Sequence, residues 1–206
     1  MRECTTGFAP ATVLAVSFSV ELVYEVHVPN ASLFAAYTAL RKAGKTFSLK
    51  LFGARAVDSM RMEKGFLHWK ADILAAFNLF ETGLDRFVKL EKGSFVGQDA
   101  LRARHSAGPQ NRLVTLDIDT HPPTHGGRSL MEGKPVVGTI RSGDWGHRTG
   151  LNLAYAFSEA EMPEEGRVMQ LDLRGALVDS RIITPAPCDP EMQRVRALCG
   201  RPLRRR

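Results

Sequence analysis

The chain has 206 residues, enough for one large domain or two small ones. At 44% hydrophobic and 24% charged it is a folding chain, not a disordered one, and it holds no apolar run long enough to span a membrane. The net charge of +6 is compatible with an anionic small ligand; the terminal basic run at 201–206 carries no interleaved aromatics, so it reads as a solvated end and not as a nucleic-acid site.

In chain order, residues 12–28 are predicted to form two strands or one long hairpin. Alternation there places Tyr24, Val26 and Val28 on one face and Glu25 and His27 on the other. Asn30 is a good N-cap, and Leu33, Phe34, Tyr37 and Leu40 make the stripe of an amphipathic helix ending near Gly44. Residues 46–52 read as a short extended piece and 55–62 as a second helix, with Gly65 as its C-cap. A long connection, 66–82, carries Trp69 and Asp72; 87–90 reads as a strand and 97–105 as a short helix. The break at 106–111 marks a domain boundary. Beyond it five strands are predicted, at 112–118, 134–141, 152–157, 167–173 and 176–183, separated by glycine turns, as in a small antiparallel barrel or sandwich. A proline-rich exit at 185–190 and a basic tail at 191–206 close the chain. The predicted fold class is α+β: an α+β domain over 1–106, then an antiparallel β-barrel over 111–190.

Several chemistries have no motif here. There is no G-x-G-x-x-G and no Walker loop, so no flavin or nicotinamide domain of the Rossmann kind is expected. There is no G-x-S-x-G, H-E-x-x-H or S-x-x-K arrangement. Cys4, Cys188 and Cys199 are scattered and odd in number, which argues for reduced thiols and against a disulfide framework or a zinc site. The first residues lack the apolar core of a secretory signal, so the expected location is the cytoplasm, or the mitochondrial matrix if the source is eukaryotic. His121 and His125 are four apart, but Pro122 and Pro123 forbid a helix between them, and both read as loop histidines.

Three linked motifs carry more. Ala15-Val-Ser-Phe-Ser-Val-Glu-Leu-Val-Tyr-Glu-Val-His-Val-Pro29 resembles R-V-S-Y-x-G-E-x-G-Y-E-x-x-V-P. Arg61-Met-Glu-Lys-Gly-Phe-Leu-His-Trp-Lys-Ala-Asp72 matches R-x-E-K-G-x-x-x-W-x-x-D. Glu81-Thr-Gly-Leu-Asp-Arg-Phe-Val-Lys-Leu-Glu-Lys-Gly-Ser-Phe-Val-Gly97 matches E-x-G-L-x-x-x-V-K-x-x-K-G-x-F-x-G. Together with Val137-Gly-Thr-Ile-Arg-Ser-Gly143 and Pro187-Cys-Asp-Pro190, they make the chain resemble the C-terminal half of the aminomethyltransferase family. That family includes the T-protein of glycine cleavage and the folate-binding part of dimethylglycine and sarcosine dehydrogenases, and the second motif resembles the dehydrogenases' form.

The resemblance implies tetrahydrofolate as cofactor and one-carbon transfer as activity. It places the pterin-contacting carboxylate at Glu25, with Glu21, Phe18, Tyr24 and Arg61 in the same pocket region. A carboxylate on a rigid strand can accept both hydrogens of a pterin's ring N–H and exocyclic amine, a charge-assisted pair worth roughly 1.5–3 kcal/mol. The bland alternative for Arg61 is a structural ion pair with a carboxylate such as Glu63 or Glu81; Phe66 and Trp69 are expected in the core or on the cavity wall. The family's catalytic aspartate belongs to the N-terminal half, which implies a partner chain or domain and no catalytic residue here. Four positions depart from the first motif: Val20 and Val23 replace its glycines, Phe18 replaces a tyrosine, and Ala15 an arginine. A second branch of the family, in iron–sulfur cluster maintenance, carries K-G-C-[YF]-x-G-Q-E; here the cysteine position is Ser94, which has no thiolate chemistry. The valines also leave room for a decayed relative without binding function.

Overall fold

The computed structural model describes residues 2–6, 9–161 and 163–198. Cys199 and the basic run at 201–206 lie outside the described residues.

A three-stranded antiparallel sheet comes first: β1 (Arg2–Thr6), β2 (Ala9–Val16) and β3 (Val23–His27), in that order. The predicted hairpin is thus β2 and β3, in register Leu14 to Glu25 and Ala15 to Tyr24, and β1 escaped the sequence reading. Helix α1 (Leu33–Gly44) follows a single 3-10 turn at Asn30–Ser32, and α2 (Ala54–Glu63) ends where Gly65 turns left-handed at φ 74°. Neither expected extended piece, 46–52 or 87–90, is a strand; each begins in a helical turn and continues as turn and irregular chain. Residues 45–47 and 85–87 each form one 3-10 turn, because apolar alternation over four residues does not specify a strand that has no neighbour to pair with. Helix α3 (Gln98–Ala107) leads to the barrel.

The barrel has six strands where the sequence suggested five: β4 (Asn111–Ile118), β5 (Ser129–Met131), β6 (Val136–Gly146), β7 (Leu151–Glu159), β8 (Val168–Leu173) and β9 (Ala176–Ile183). They close in the order β4-β7-β6-β5-β8-β9. The missed strand β5 is three residues long, too short for a periodic signal. Closure leaves no strand edge unpaired. Its interior is filled by Val114, Leu116, Ile118, Leu130, Ile140, Met169 and Leu171, together with the small Ala154 and Ala156. Strand β7 is buried on both faces. Its alanines point inward, while Leu153 and Tyr155 point outward onto Met62 of α2. That second cluster fixes the helical region against the barrel. The exit ends in α4 (Gln193–Leu198), so part of the expected tail is helical.

The stripe on α1 has the predicted helical period but no cover among the described residues. Phe34 is 80% exposed, Leu33, Tyr37 and Leu40 are exposed, and only Ala36 of this helix is buried. Phe47, Leu49, Leu51 and Phe52 continue the open apolar surface.

Candidate functional site

The centre of the molecule is the C-terminal turn of α2, where it meets the barrel. Burying a guanidinium is costly unless its hydrogens are matched. Arg61 is 2% exposed and nearly fully matched. Its Nε donates to Asp58 Oδ1 (2.8 Å), Nη1 to Asp72 Oδ2 (2.7 Å) and to the carbonyl of Phe66 (2.9 Å), and Nη2 to Ser142 Oγ (3.2 Å). Four of its five N–H bonds are therefore spent inside the protein, and the guanidinium also lies 5.8 Å from the Tyr155 ring. Asp72 completes the knot by accepting the backbone N–H of His68 (2.8 Å) and the hydroxyl of Ser142. The partners expected for Arg61, Glu63 and Glu81, are not the ones used. Asp58 sits one helical turn back, a spacing readable in sequence; Asp72 and Ser142 arrive through the 66–72 loop and β6.

The rest of the second motif is a brace. Glu63 turns to the β6–β7 hairpin, where Oε1 accepts the N–H groups of Arg148 (2.6 Å) and Thr149 (2.9 Å). Lys64 pairs with Asp189 of the exit, and the Glu63 carbonyl accepts the Cys188 N–H (2.9 Å). Gly65 is required twice over, since a Cβ there would stand 2.4 Å from the Pro185 carbonyl. Burial pushes the Tyr155 hydroxyl well above its ordinary range, Asp72 adds to that and Arg61 opposes it; the hydroxyl donates to the Met62 carbonyl (3.2 Å). Glu81 ties the connection to the barrel's start. Burial alone would raise its carboxyl, but N–H donors from Asn78 (2.9 Å), Asn111 (3.1 Å) and Gln110 (3.2 Å) outweigh it and hold it below the ordinary glutamate range.

In front of the knot is a cavity of about 360 Å³, lined by Arg55, Asp58, Arg61, His68, Ser142 and Asp144 among others. The remaining Nη2 hydrogen of Arg61 is the one it can offer a ligand. Beside it the Phe18 ring lies parallel to that of Phe66 at 6.4 Å and within 6.4 Å of His68, so the structure brings Phe18, Phe66 and His68 together. Trp69, expected in the core or on the wall, is 66% exposed, because the loop turns outward through Lys70 at φ 69°. Glu21 lies in the 17–22 connection and pairs with Arg148 (2.8 Å) and, more distantly, Arg194 (3.6 Å). Glu25 and Tyr24 stand on β3, exposed and on opposite faces. The only side-chain partner of Glu25 among the described residues is His27 (3.1 Å). Val20 is fully buried and neither it nor Val23 has a positive φ, so this backbone accepts both valines without strain.

Comparison with known proteins fits this architecture. The family model for the GCVT N-terminal domain matches residues 1–92, and that for the glycine cleavage T-protein C-terminal barrel domain matches 111–189. The chain belongs to the aminomethyltransferase family. Mouse mitochondrial sarcosine dehydrogenase is 31% identical over 195 residues, 90% of this chain and 21% of that protein. Human mitochondrial dimethylglycine dehydrogenase is 31% identical over 168 residues, 81% of this chain and 19% of that one. An aminomethyltransferase of Acidobacterium capsulatum is 31% identical over 168 residues, 80% of this chain and 44% of that enzyme. The crystal structure of the glycine cleavage system aminomethyltransferase T from Bartonella henselae superposes with a TM-score of 0.79 over 86% of this chain and 50% of that one; at 21% identity it speaks for the fold. The chain thus spans about a fifth of the dehydrogenases and about half of the aminomethyltransferases. No described helix is long and apolar enough to cross a membrane.

Proposed function

We propose that this chain supplies one wall of a tetrahydrofolate site in a one-carbon-transfer protein, with Glu25 as the carboxylate that holds the pterin. One observation carries this reading. Five carboxylates stand at matched positions of the three linked motifs; of these, Glu63, Asp72 and Glu81 are buried against backbone or arginine donors and Glu21 is paired with Arg148. Of these five, Glu25 is the one with no arginine or backbone N–H partner among the described residues, and its side chain is 53% exposed. A carboxylate with free lone pairs on a rigid strand suits a pair of N–H donors. Phe18 and Phe66, parallel at 6.4 Å, offer an aromatic surface for the pterin ring, and the positive charge of the chain suits folate's glutamyl tail.

Bound tetrahydrofolate would supply the amine that takes up a methylene unit from an aminomethyl donor. This chain's share is to bind and orient; the acid that assists the transfer comes from the family's N-terminal half. The bare apolar face of α1 and residues 47–52 is where such a half, in the same polypeptide or another, finds its partner surface. Titration calorimetry of the chain with tetrahydrofolate tests the reading. Heat of binding is expected from wild type and at most a tenth of the affinity from Glu25→Ala. Equal heats remove Glu25 from the site, and no heat from the wild type removes folate from this chain.

A further inference from the structure

A second cavity, about 520 Å³, opens at one end of the barrel, where the C-terminal ends of β4 and β6 and the middle of β9 meet the N-terminal ends of β7 and β8. It is sized for a small metabolite. In a chain of net charge +6 its wall carries three carboxylates, Asp117, Asp119 and Asp179, against one guanidinium, Arg181. Arg181 already donates to the Gly166 carbonyl (3.1 Å). Two further features point to a ligand. Asn152, 2% exposed, lines the cavity with its amide orientation fixed: Nδ2 donates to the carbonyls of Thr120 (2.6 Å) and Pro122 (3.2 Å). Its Oδ1 has no partner among the described residues, a buried acceptor left without a donor. Above it the Trp145 indole is stacked on His121, centroids 5.1 Å apart and planes within 7°, which presents a flat aromatic surface at the cavity.

Acceptors without donors, surplus negative charge and an indole face are complementary to an N–H-bearing cation. We infer that this cavity binds a small organic ammonium ion, held by Asp119 and Asp179, with its N–H directed at Asn152 and its alkyl groups on Trp145. An anion would meet three carboxylates, and a neutral alcohol would leave their charge unanswered. The environment of Asp117 agrees. Burial chiefly, with Asp119 adding, pushes its carboxyl above the ordinary aspartate range against the Asn152 N–H and Arg181, a strain that a bound cation relieves. The site lies apart from the Arg61 cavity and does not rest on the folate reading.

The chain contains two tryptophans, so exposed Trp69→Phe leaves Trp145 as sole reporter. In that background, dimethylammonium chloride is expected to change Trp145 emission saturably. Sodium chloride at equal ionic strength and isopropanol, a neutral molecule of similar size, are expected to give no saturable change. Asp119→Asn with Asp179→Asn, both at exposed positions, should raise the half-saturation about tenfold or more with an unchanged melting temperature. Glu25→Ala should leave it unmoved. A linear response, a response shared by isopropanol, or a half-saturation indifferent to the two substitutions overturns the proposal.

Discussion

Removing Arg61 should loosen the whole molecule, and the size of the effect follows from what it leaves behind. In Arg61→Met the aliphatic volume is largely kept, but Asp72, with no exposed surface, loses its cation. The His68 N–H and the Ser142 hydroxyl remain, so the carboxylate is half-solvated by the protein and wholly unpaired in charge. Breaking a buried pair from one side costs about 3–5 kcal/mol. The Phe66 carbonyl also loses its donor, which adds to the same end of that range. Against a typical total of about 5–15 kcal/mol this is a large fraction, equivalent to a fall in melting temperature of very roughly 6–20 °C for a chain of this size. The informative comparison is a double-mutant cycle with Asp72→Asn, followed by urea unfolding on tryptophan fluorescence. Because the neutral amide has no charge to strand, the double substitution should cost clearly less than the sum of the two singles, with a coupling of about 1–3 kcal/mol. A single Arg61→Met within about 1 kcal/mol of wild type, or a cycle that adds without coupling, refutes the view that this pair welds α2 to the barrel.

Further outcomes follow from other contacts. Glu81→Gln should cost about 1–3 kcal/mol at neutral pH, since its –NH2 faces an N–H donor where a carboxylate oxygen stood. Because the folded carboxyl titrates below its ordinary range, the wild-type advantage should be full at and above that range. It should vanish as pH falls through the depressed folded value, as melting curves from pH 7 to 3 would record; an advantage that persists in acid contradicts it. Gly65→Ala forces a left-handed residue into the Pro185 carbonyl and should cost more than about 2 kcal/mol, with faster tryptic cleavage after Arg194 as the exit detaches. Glu21→Gln removes a half-exposed pair and should stay within about 1 kcal/mol of wild type in the same urea assay. Phe34→Glu should leave stability within about 0.5 kcal/mol while lowering self-association in sedimentation velocity; a loss above 1 kcal/mol would mean that the α1 face is packed after all.

The sequence was most legible where local chemistry and tertiary packing agree. Strand β9 was placed to the residue, and α2 to within a residue at each end, because alternation and helical period coincide with the faces that become buried. Errors fell where tertiary pairing decides the backbone. Residues 87–90 have strand-like alternation but no neighbouring strand, and β5 has a neighbour on each side but only three residues. The partners of Arg61 escaped the sequence for a related reason. The motif Arg61-Met-Glu-Lys-Gly65 was visible, but Asp72 and Ser142, which give Arg61 its role, reach it from 11 and 81 positions away. Only Asp58, on the same helix face, carried a local signal. For α1 the stripe was read correctly and its burial was not, since a hydrophobic period shows that a face wants a partner and is silent on whether this chain supplies one.

That distinction decides what the family motifs can be asked to prove. Arg61, apart from one Nη2 hydrogen, and Glu63, Lys64, Gly65 and Asp72 are employed structurally: they join a helix, a loop, a hairpin and the exit, and each would be needed in a relative that binds nothing. Their presence supports the fold and says little about ligand. The opposite holds for Glu25, whose side chain among the described residues has no partner beyond His27 and whose replacement should leave the fold intact. The valines fall between. Val20 is packed, so restoring glycine there would remove a buried side chain without gaining a backbone conformation that the chain lacks. Valine-to-glycine reversion is therefore a stability experiment in this protein, and substitution of Glu25 is the functional one.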